Sequence, residues 1–144
     1  MMHVDPQRTR PPAVAGMFYP GHAPALTDTL ASLIKAAARS LPEKPVVPKA
    51  IIAPHAGYVY SGPIAASVYA RLAPAAASIR RVVLLGPTHR VGVQGLALPS
   101  ATHFMTPLGA VAIDADGAAQ LADLPQVVVA DPPHAQEHSL EVQL

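Results

Sequence analysis

Apolar and polar positions along the chain form two kinds of pattern, helical stripes and short continuous apolar runs. Residues 24–39 and 61–72 repeat apolar positions with helical spacing, and Ser61 stands where a helix cap belongs. The runs 49–53 and 81–85 are almost entirely apolar, as in strands that are covered on both faces of a sheet. Strand, helix and strand in this order predict a βαβ unit with parallel strands.

The rest of the chain continues this alternation of strands and helices. It predicts strands at residues 95–98, 110–113 and 127–130. Asp114 is expected to cap a helix that reaches Leu124, and residues 137–144 have the pattern of another helix opening. We therefore predict an α/β fold, a three-layer sandwich around a largely parallel central sheet.

Composition indicates that this fold is incomplete within the chain. Of the 144 residues, 51% are hydrophobic and only 13% are charged, so we expect apolar surface to be left over for packing outside the chain. The helical pattern of residues 137–144 also stops within its first two turns. We expect residues 12–144 to be the N-terminal part of a single α/β domain, preceded by a flexible leader at residues 1–11.

Charge and composition argue against several classes of partner. The net charge is +1 and Lys and Arg are scattered, which disfavours a nucleic-acid surface. No apolar run is long enough to span a membrane and no secretory signal is visible, so we expect a cytoplasmic protein without a membrane partner. The chain has no Cys, and it therefore offers no thiolate ligand or nucleophile.

His55 and His89 are the main candidates for chemistry, because each follows a predicted strand at its carboxyl end. Open α/β sheets bind their ligands at this edge, and we expect both imidazoles to face one cleft there. Two histidines and one further donor are typical of non-haem Fe(II) and catalytic zinc sites. The alternative is that both are ordinary loop histidines, solvated or hydrogen-bonded.

Four further side chains are weaker candidates. His138 and Glu141 would share a helical face and could point into the same pocket, although an acidic helix N-terminus is also favoured by the helix dipole alone. Tyr58 and Tyr60 follow the His55 loop, and we predict that one of them, and not both, faces the pocket as a proton donor. Packing of the two rings in the core is the alternative.

The chain resembles the Memo family in four blocks that occur in the same order and spacing. The blocks are residues 15–19 (AGMFY), 51–62 (IIAPHAGYVYSG), 85–89 (LGPTH) and 137–141 (EHSLE). The resemblance runs from about Pro12 to Leu144, and its most specific parts are the PHAGY and GPTH sequences.

This resemblance implies a fold similar to the class III extradiol dioxygenases, whose non-haem iron lies at the sheet edge. It implies His55 and His89 as metal ligands, Tyr60 as a pocket residue, and His138 and Glu141 as further site residues. Iron is the first expectation for the metal, and zinc and copper are the alternatives. Memo-like chains are longer than this one, and their second half carries the third metal ligand, often Cys, which this chain lacks.

Three functions follow from these expectations. The first is a metal-dependent, dioxygenase-like oxidoreductase that acts on a small molecule. The second is a non-catalytic adaptor on the same fold, with a peptide or small ligand in its cleft. The third is a metal-dependent hydrolase with a metal-bound water as nucleophile. Because two histidines leave a metal without its usual set of three protein ligands, we expect this chain alone to bind metal weakly.

Overall fold

The computed structural model describes residue 5, residues 8–43 and residues 46–144, and within this part of the chain it contains both helices and strands. The chain divides into two units. One unit comprises residues 15–84 and is helical, and the other comprises the residues up to 14 together with 85–144 and holds all strands of the described residues. The predicted mixed α/β class is confirmed.

The unit of residues 15–84 is built on two packed helices. Helix α1 spans Ala23–Ala38, as the apolar stripe predicts, and helix α2 spans Tyr58–Tyr69 and continues as a 3-10 helix over Ala70–Ala75. The two α-helices contact each other, and an added Cβ on Gly62 of α2 would come within 3.0 Å of a methyl group of Leu33 in α1. Gly62 therefore permits the close approach of the two helices.

Helix α2 begins three residues before the start that the sequence predicted. The backbone N–H of Tyr58 donates to the carbonyl of Phe18, and the N–H of Ser61 already donates to the carbonyl of Gly57 within the first helical turn. The Ser61 hydroxyl donates to the carbonyl of Ala56 at 2.7 Å. Ser61 is thus a buried residue of the helix, and the predicted role as its cap is wrong because its hydroxyl is a donor here.

The strands predicted at residues 49–53 and 81–85 are wrong. Both segments are irregular, and no strand of the described residues pairs with either of them. A strand is stabilised by ladder hydrogen bonds to a neighbour, and an apolar sequence alone does not supply them. Ile52, Val82 and Val83 are 95%, 72% and 70% exposed. The described chain therefore lacks the predicted βαβ unit.

The other unit contains two small sheets. Its strands are β1 (Thr9–Arg10), β2 (Leu96–Leu98), β3 (His103–Thr106), β4 (Gly109–Ala112) and β5 (Val127–Val129). Strand β3 lies between β1, which is parallel to it, and β4, which is antiparallel, while β2 and β5 form a separate parallel pair. The strands predicted at residues 95–98, 110–113 and 127–130 are confirmed as β2, β4 and β5. The three-layer arrangement around one largely parallel sheet stays a prediction.

Further helical segments of the described residues belong to this unit. Helix α3 spans Ala115–Ala122, and the Asp114 carboxylate accepts a hydrogen bond from the N–H of Gly117, which confirms the predicted cap. A short helix α4 spans Pro132–Ala135. The segment predicted to open a helix at residues 137–144 is instead a turn that leads into a 3-10 helix at Glu141–Gln143. Its polar side chains bind other segments of the unit, since the Ser139 hydroxyl donates to the Pro87 carbonyl and Glu141 pairs with Arg10.

The predicted leader falls partly outside the described residues, which omit 1–4 and 6–7. Within its described part, Thr9 and Arg10 form β1 against β3 and the Arg10 side chain is buried. The description of residues 1–11 as a flexible leader stays a prediction. The inclusion of residues 12–144 in one domain stays a prediction. Among the described residues, no helix is both long enough and apolar enough to cross a membrane.

Candidate metal site

The carboxylate of Glu137 binds the His89 loop at two points. One carboxylate oxygen, Oε2, accepts a hydrogen bond from the backbone N–H of His89 at 2.6 Å, and the other, Oε1, lies 2.9 Å from the ring atom Nδ1 of the same residue. Glu137 is 6% exposed, whereas the His89 side chain is 42% exposed. A buried acid therefore holds a histidine that reaches solvent.

The same carboxylate also organises its own segment. Its Oε1 atom accepts hydrogen bonds from the backbone N–H groups of His138 at 2.8 Å and Ser139 at 2.9 Å. The Ser139 hydroxyl in turn donates to the carbonyl of Pro87 at 2.7 Å. Glu137 and Ser139 thereby fasten the turn after Glu137 to the loop that carries His89.

Close packing between these two segments depends on Gly86. A Cβ added to Gly86 would lie 2.8 Å from a methyl carbon of Leu140 and 2.9 Å from the Ser139 hydroxyl oxygen. Any larger side chain would push the segments apart. The glycine that precedes Pro87 in the GPTH sequence is thus explained by contact with the EHSLE sequence.

The rings of His89 and His138 are stacked. Their centroids lie 4.6 Å apart and their planes are inclined by 16°. Nδ1 of His138 is 3.3 Å from Glu137 Oε1, the same oxygen that contacts Nδ1 of His89. The two stacked imidazoles therefore have their Nδ1 atoms close to the same carboxylate oxygen.

Burial and the hydrogen bonds around Glu137 both act on the pKa of its carboxyl group. Burial acts to raise the pKa of the carboxyl, but the hydrogen bonds from His89, Ser139 and His138 outweigh burial and lower the pKa to about 2. Glu137 is consequently a carboxylate at neutral pH. An ionised carboxylate only accepts hydrogen bonds, and the Nδ1 atom of His89 must then be the donor.

Glu141 lies in a different set of contacts, with Arg10. The Glu141 side chain is completely buried and forms an ion pair with the Arg10 guanidinium. It also accepts hydrogen bonds from the backbone N–H groups of Ala13 at 2.8 Å and Val14 at 2.9 Å. These contacts favour a structural role, and the catalytic role that the sequence suggested for Glu141 stays a prediction.

Arg10 extends this network to the segment before His138. Its guanidinium also donates to the backbone carbonyls of His134 and Glu137, and it lies 5.1 Å from the centroid of the Phe104 ring. Each of its nitrogen atoms thus has an acceptor in the interior. Arg10 fixes the backbone of Glu137, and so supports the residue that holds His89.

His55, Tyr58 and Tyr60 belong to the helical unit. His55 is partly buried, and two residues separate it from Tyr58, where helix α2 begins. Tyr60 lies in the first turn of that helix and is 83% exposed. The Tyr58 ring packs 5.7 Å from the Tyr19 ring, and burial raises the pKa of its hydroxyl. The predicted cleft shared by His55 and His89, and the predicted approach of one tyrosine to it, stay predictions.

Glu137 and Arg10 were not among the site residues that we predicted from the sequence. Glu137 had a signal, since an acidic residue stands directly before His138 in a block that was already a candidate. Arg10 had none, because it stands in a proline-rich stretch without an apolar pattern and its acceptors lie more than 120 residues away along the chain.

Comparison with known proteins identifies the family of the chain. The Memo-like protein family matches residues 10–144, and the chain belongs to this family. It is similar to MEMO1 family proteins of Aquifex aeolicus, with 39% identity over 95% of this chain and 48% of the relative, and of Ignicoccus hospitalis, with 41% identity over 94% and 50%. The MEMO1 family relative in Methanocaldococcus jannaschii is 39% identical over 95% of this chain. The chain spans about half the length of these curated relatives.

Proposed function

We propose that this protein binds one divalent metal ion through the imidazoles of His55, His89 and His138, and that iron is the metal. The observation that carries the proposal is the stacked pair of His89 and His138 around the Glu137 carboxylate. Histidines that ligate metals commonly donate their other ring N–H to a carboxylate, which orients the ring and increases its basicity. His89 has this arrangement.

The set of donors fits iron, zinc or copper. Each of the three histidines offers one ring nitrogen, and imidazole is a ligand that suits all three metals. His55 enters the proposal because the family resemblance of the PHAGY block implies it as a metal ligand. From the sequence we expected a third ligand from outside this chain, and we propose His138 in its place.

We further propose that the metal serves a dioxygenase-like oxidation of a small molecule, on a fold related to the extradiol dioxygenases. Bound iron would supply redox and Lewis-acid chemistry to the substrate. The residues of this chain hold the ligands in place: Glu137 orients His89, and Arg10 fixes the backbone of Glu137. Tyr60, which is 83% exposed, is the proposed proton donor.

The test is anaerobic titration of Fe(II), and separately of Zn(II), into the chain and into His55→Ala, His89→Ala and His138→Ala. We expect one equivalent to bind, and each variant to lose more affinity than the roughly 10–100-fold that is lost when a hydrogen-bond partner of a ligand is removed. The matched control is His22→Ala, because His22 is exposed and its side chain makes no capping hydrogen bond to helix α1.

Two results would contradict the proposal. Equal affinities for His22→Ala and His89→Ala would show that metal binds at no particular site. Specific binding of metal without any dioxygen consumption by the iron-loaded protein, across a panel of small phenolic and heterocyclic compounds, would reject the oxidoreductase. Hydrolysis of ester or amide probes by the zinc-loaded protein would then favour the hydrolase.

A further inference from the structure

Glu137 makes more contacts than a carboxylate needs to bridge two segments of chain. Its two oxygens accept hydrogen bonds from the backbone N–H groups of His89, His138 and Ser139, with N···O distances between 2.6 and 2.9 Å. Backbone N–H groups are always donors, so both oxygens of Glu137 are fixed as acceptors by the main chain. The ring atom Nδ1 of His89, 2.9 Å from Oε1, therefore meets an acceptor.

We propose that Glu137 is a positioning residue that selects the Nδ1–H tautomer of His89 and thereby makes Nε2 its metal-binding atom. A neutral imidazole carries one proton, and a proton on Nδ1 leaves the lone pair on Nε2. The inference rests on the proposed function, because the choice of tautomer matters for a ring that ligates a metal. It gives Glu137 the role of fixing which ring nitrogen of His89 carries the proton.

The arrangement around His138 extends this argument. Its Nδ1 atom lies 3.3 Å from the same Oε1, and its ring is stacked on His89 at a centroid distance of 4.6 Å. One carboxylate oxygen thus faces Nδ1 of both rings, and the stack fixes the orientation of each ring relative to the other. Glu137 sets the geometry of the pair as well as the tautomer of His89.

The test reads the tautomer of His89 directly. Chain labelled with ¹⁵N and free of metal is examined by NMR at pH 8, and the pattern of two-bond couplings from ring nitrogens to ring protons distinguishes Nδ1–H from Nε2–H. We expect Nδ1–H in the unaltered chain. Nε2–H in the unaltered chain would overturn the inference, and this measurement requires no variant to fold.

Variants separate positioning from simple structural support. Glu137→Gln replaces one acceptor oxygen with an NH₂ group, and we expect the folded variant to lose the Nδ1–H preference and about 10–100-fold in metal affinity. Ser139→Ala is the matched control. It removes the hydrogen bond from Ser139 to the Pro87 carbonyl, which joins the same two segments, and leaves Glu137 in place. We expect Ser139→Ala to keep the Nδ1–H tautomer.

The outcomes distinguish this inference from the proposed function. Retention of Nδ1–H and of full metal affinity in Glu137→Gln would overturn the inference while leaving the metal site intact. Loss of the Nδ1–H preference in Glu137→Gln, in a protein whose unaltered form binds no metal, would support positioning of His89 by Glu137 and reject the metal function. Equal effects of Ser139→Ala and Glu137→Gln on the tautomer would reduce Glu137 to a structural link and overturn the inference.

Discussion

Arg10 and Glu141 form a charged pair in the interior of the unit that contains the strands. The Arg10 side chain is 6% exposed and that of Glu141 is 0% exposed. Charges removed from water are costly unless they are paired and fully hydrogen-bonded, and here the remaining positions are taken by the N–H groups of Ala13 and Val14 and by backbone carbonyls. The pair joins residues at opposite ends of the sequence.

We therefore predict that Glu141→Leu lowers the free energy of unfolding by about 3–5 kcal/mol, because it leaves the Arg10 guanidinium buried without its counter-charge. The measurement is urea denaturation of Glu141→Leu, Arg10→Met and the double variant. Since the double variant buries no isolated charge, it should lose less stability than the sum of the two single variants.

Glu43→Gln serves as the control for this series, because Glu43 is exposed, and it should change stability by less than about 0.5 kcal/mol. Additive effects of Arg10→Met and Glu141→Leu would contradict a coupled pair. A fully stable Glu141→Leu variant with an altered metal site would instead support the role in chemistry that the sequence suggested for Glu141.

At the scale of residues, the sequence identified side chains by type and spacing and could not show what each one contacts. It placed His89 and His138 in blocks that the structure brings into contact. It selected Glu141 as a site residue and passed over Glu137, although both are acidic residues of one short motif. Their roles differ only through long-range contacts, with the His89 loop for Glu137 and with Arg10 for Glu141.

Strands β2 and β5 pair in a register that is determined at Gly95. Leu96, Ala97 and Leu98 lie opposite Val127, Val128 and Val129, and the N–H of Leu96 donates to the carbonyl of Gln126 at 2.8 Å. Gly95 has a φ of +90°, and a Cβ at this position would lie 2.1 Å from the Gln126 carbonyl oxygen. Only glycine satisfies both the dihedral angle and the close approach.

We predict that Gly95→Ala lowers the free energy of unfolding by about 1–3 kcal/mol, from the strained dihedral alone, and that the contact with the Gln126 oxygen adds to this loss. The measurement is urea denaturation, followed by amide hydrogen exchange in β2 and β5, where exchange should become faster. Gly92→Ala is the control, because a Cβ on Gly92 meets nothing within 4 Å. Equal stability of the Gly92→Ala and Gly95→Ala variants would contradict this account.

At the scale of elements, the local sequence pattern predicted the helices and strands whose stability depends mainly on neighbouring residues. The stripe that became α1, the Asp114 cap of α3 and the strands β2, β4 and β5 were all visible in the sequence. The apolar runs at 49–53 and 81–85 were not strands, because a strand also requires a partner and periodicity carries no information about one. Strand β1 was missed for the converse reason, since its pairing with β3 bridges more than 90 residues.

At the scale of the whole molecule, large aliphatic side chains are exposed in irregular segments of the chain. Ile52, Val82 and Val83 are at least 70% exposed, in runs that have the composition of buried strands. The curated relatives are about twice as long as the part of them that this chain matches. The part of those relatives that this chain does not match is therefore a candidate to cover these apolar runs and to pair with them.

We predict that fusion of this chain to the unmatched part of the Ignicoccus hospitalis relative slows amide hydrogen exchange at residues 51–53 and 82–84. The relative is 41% identical over the matched half, which should preserve the complementary surface. Exchange slows only if the amides gain hydrogen bonds, so the measurement distinguishes strand pairing from loose association. The amides of Leu96 and Ala130 serve as the internal control, because they are already bonded to the Gln126 and Leu98 carbonyls and should change little. Unchanged exchange at residues 51–53 and 82–84 in a folded fusion would show that these apolar runs are exposed in the fusion as well, and that their strand-like composition serves another contact.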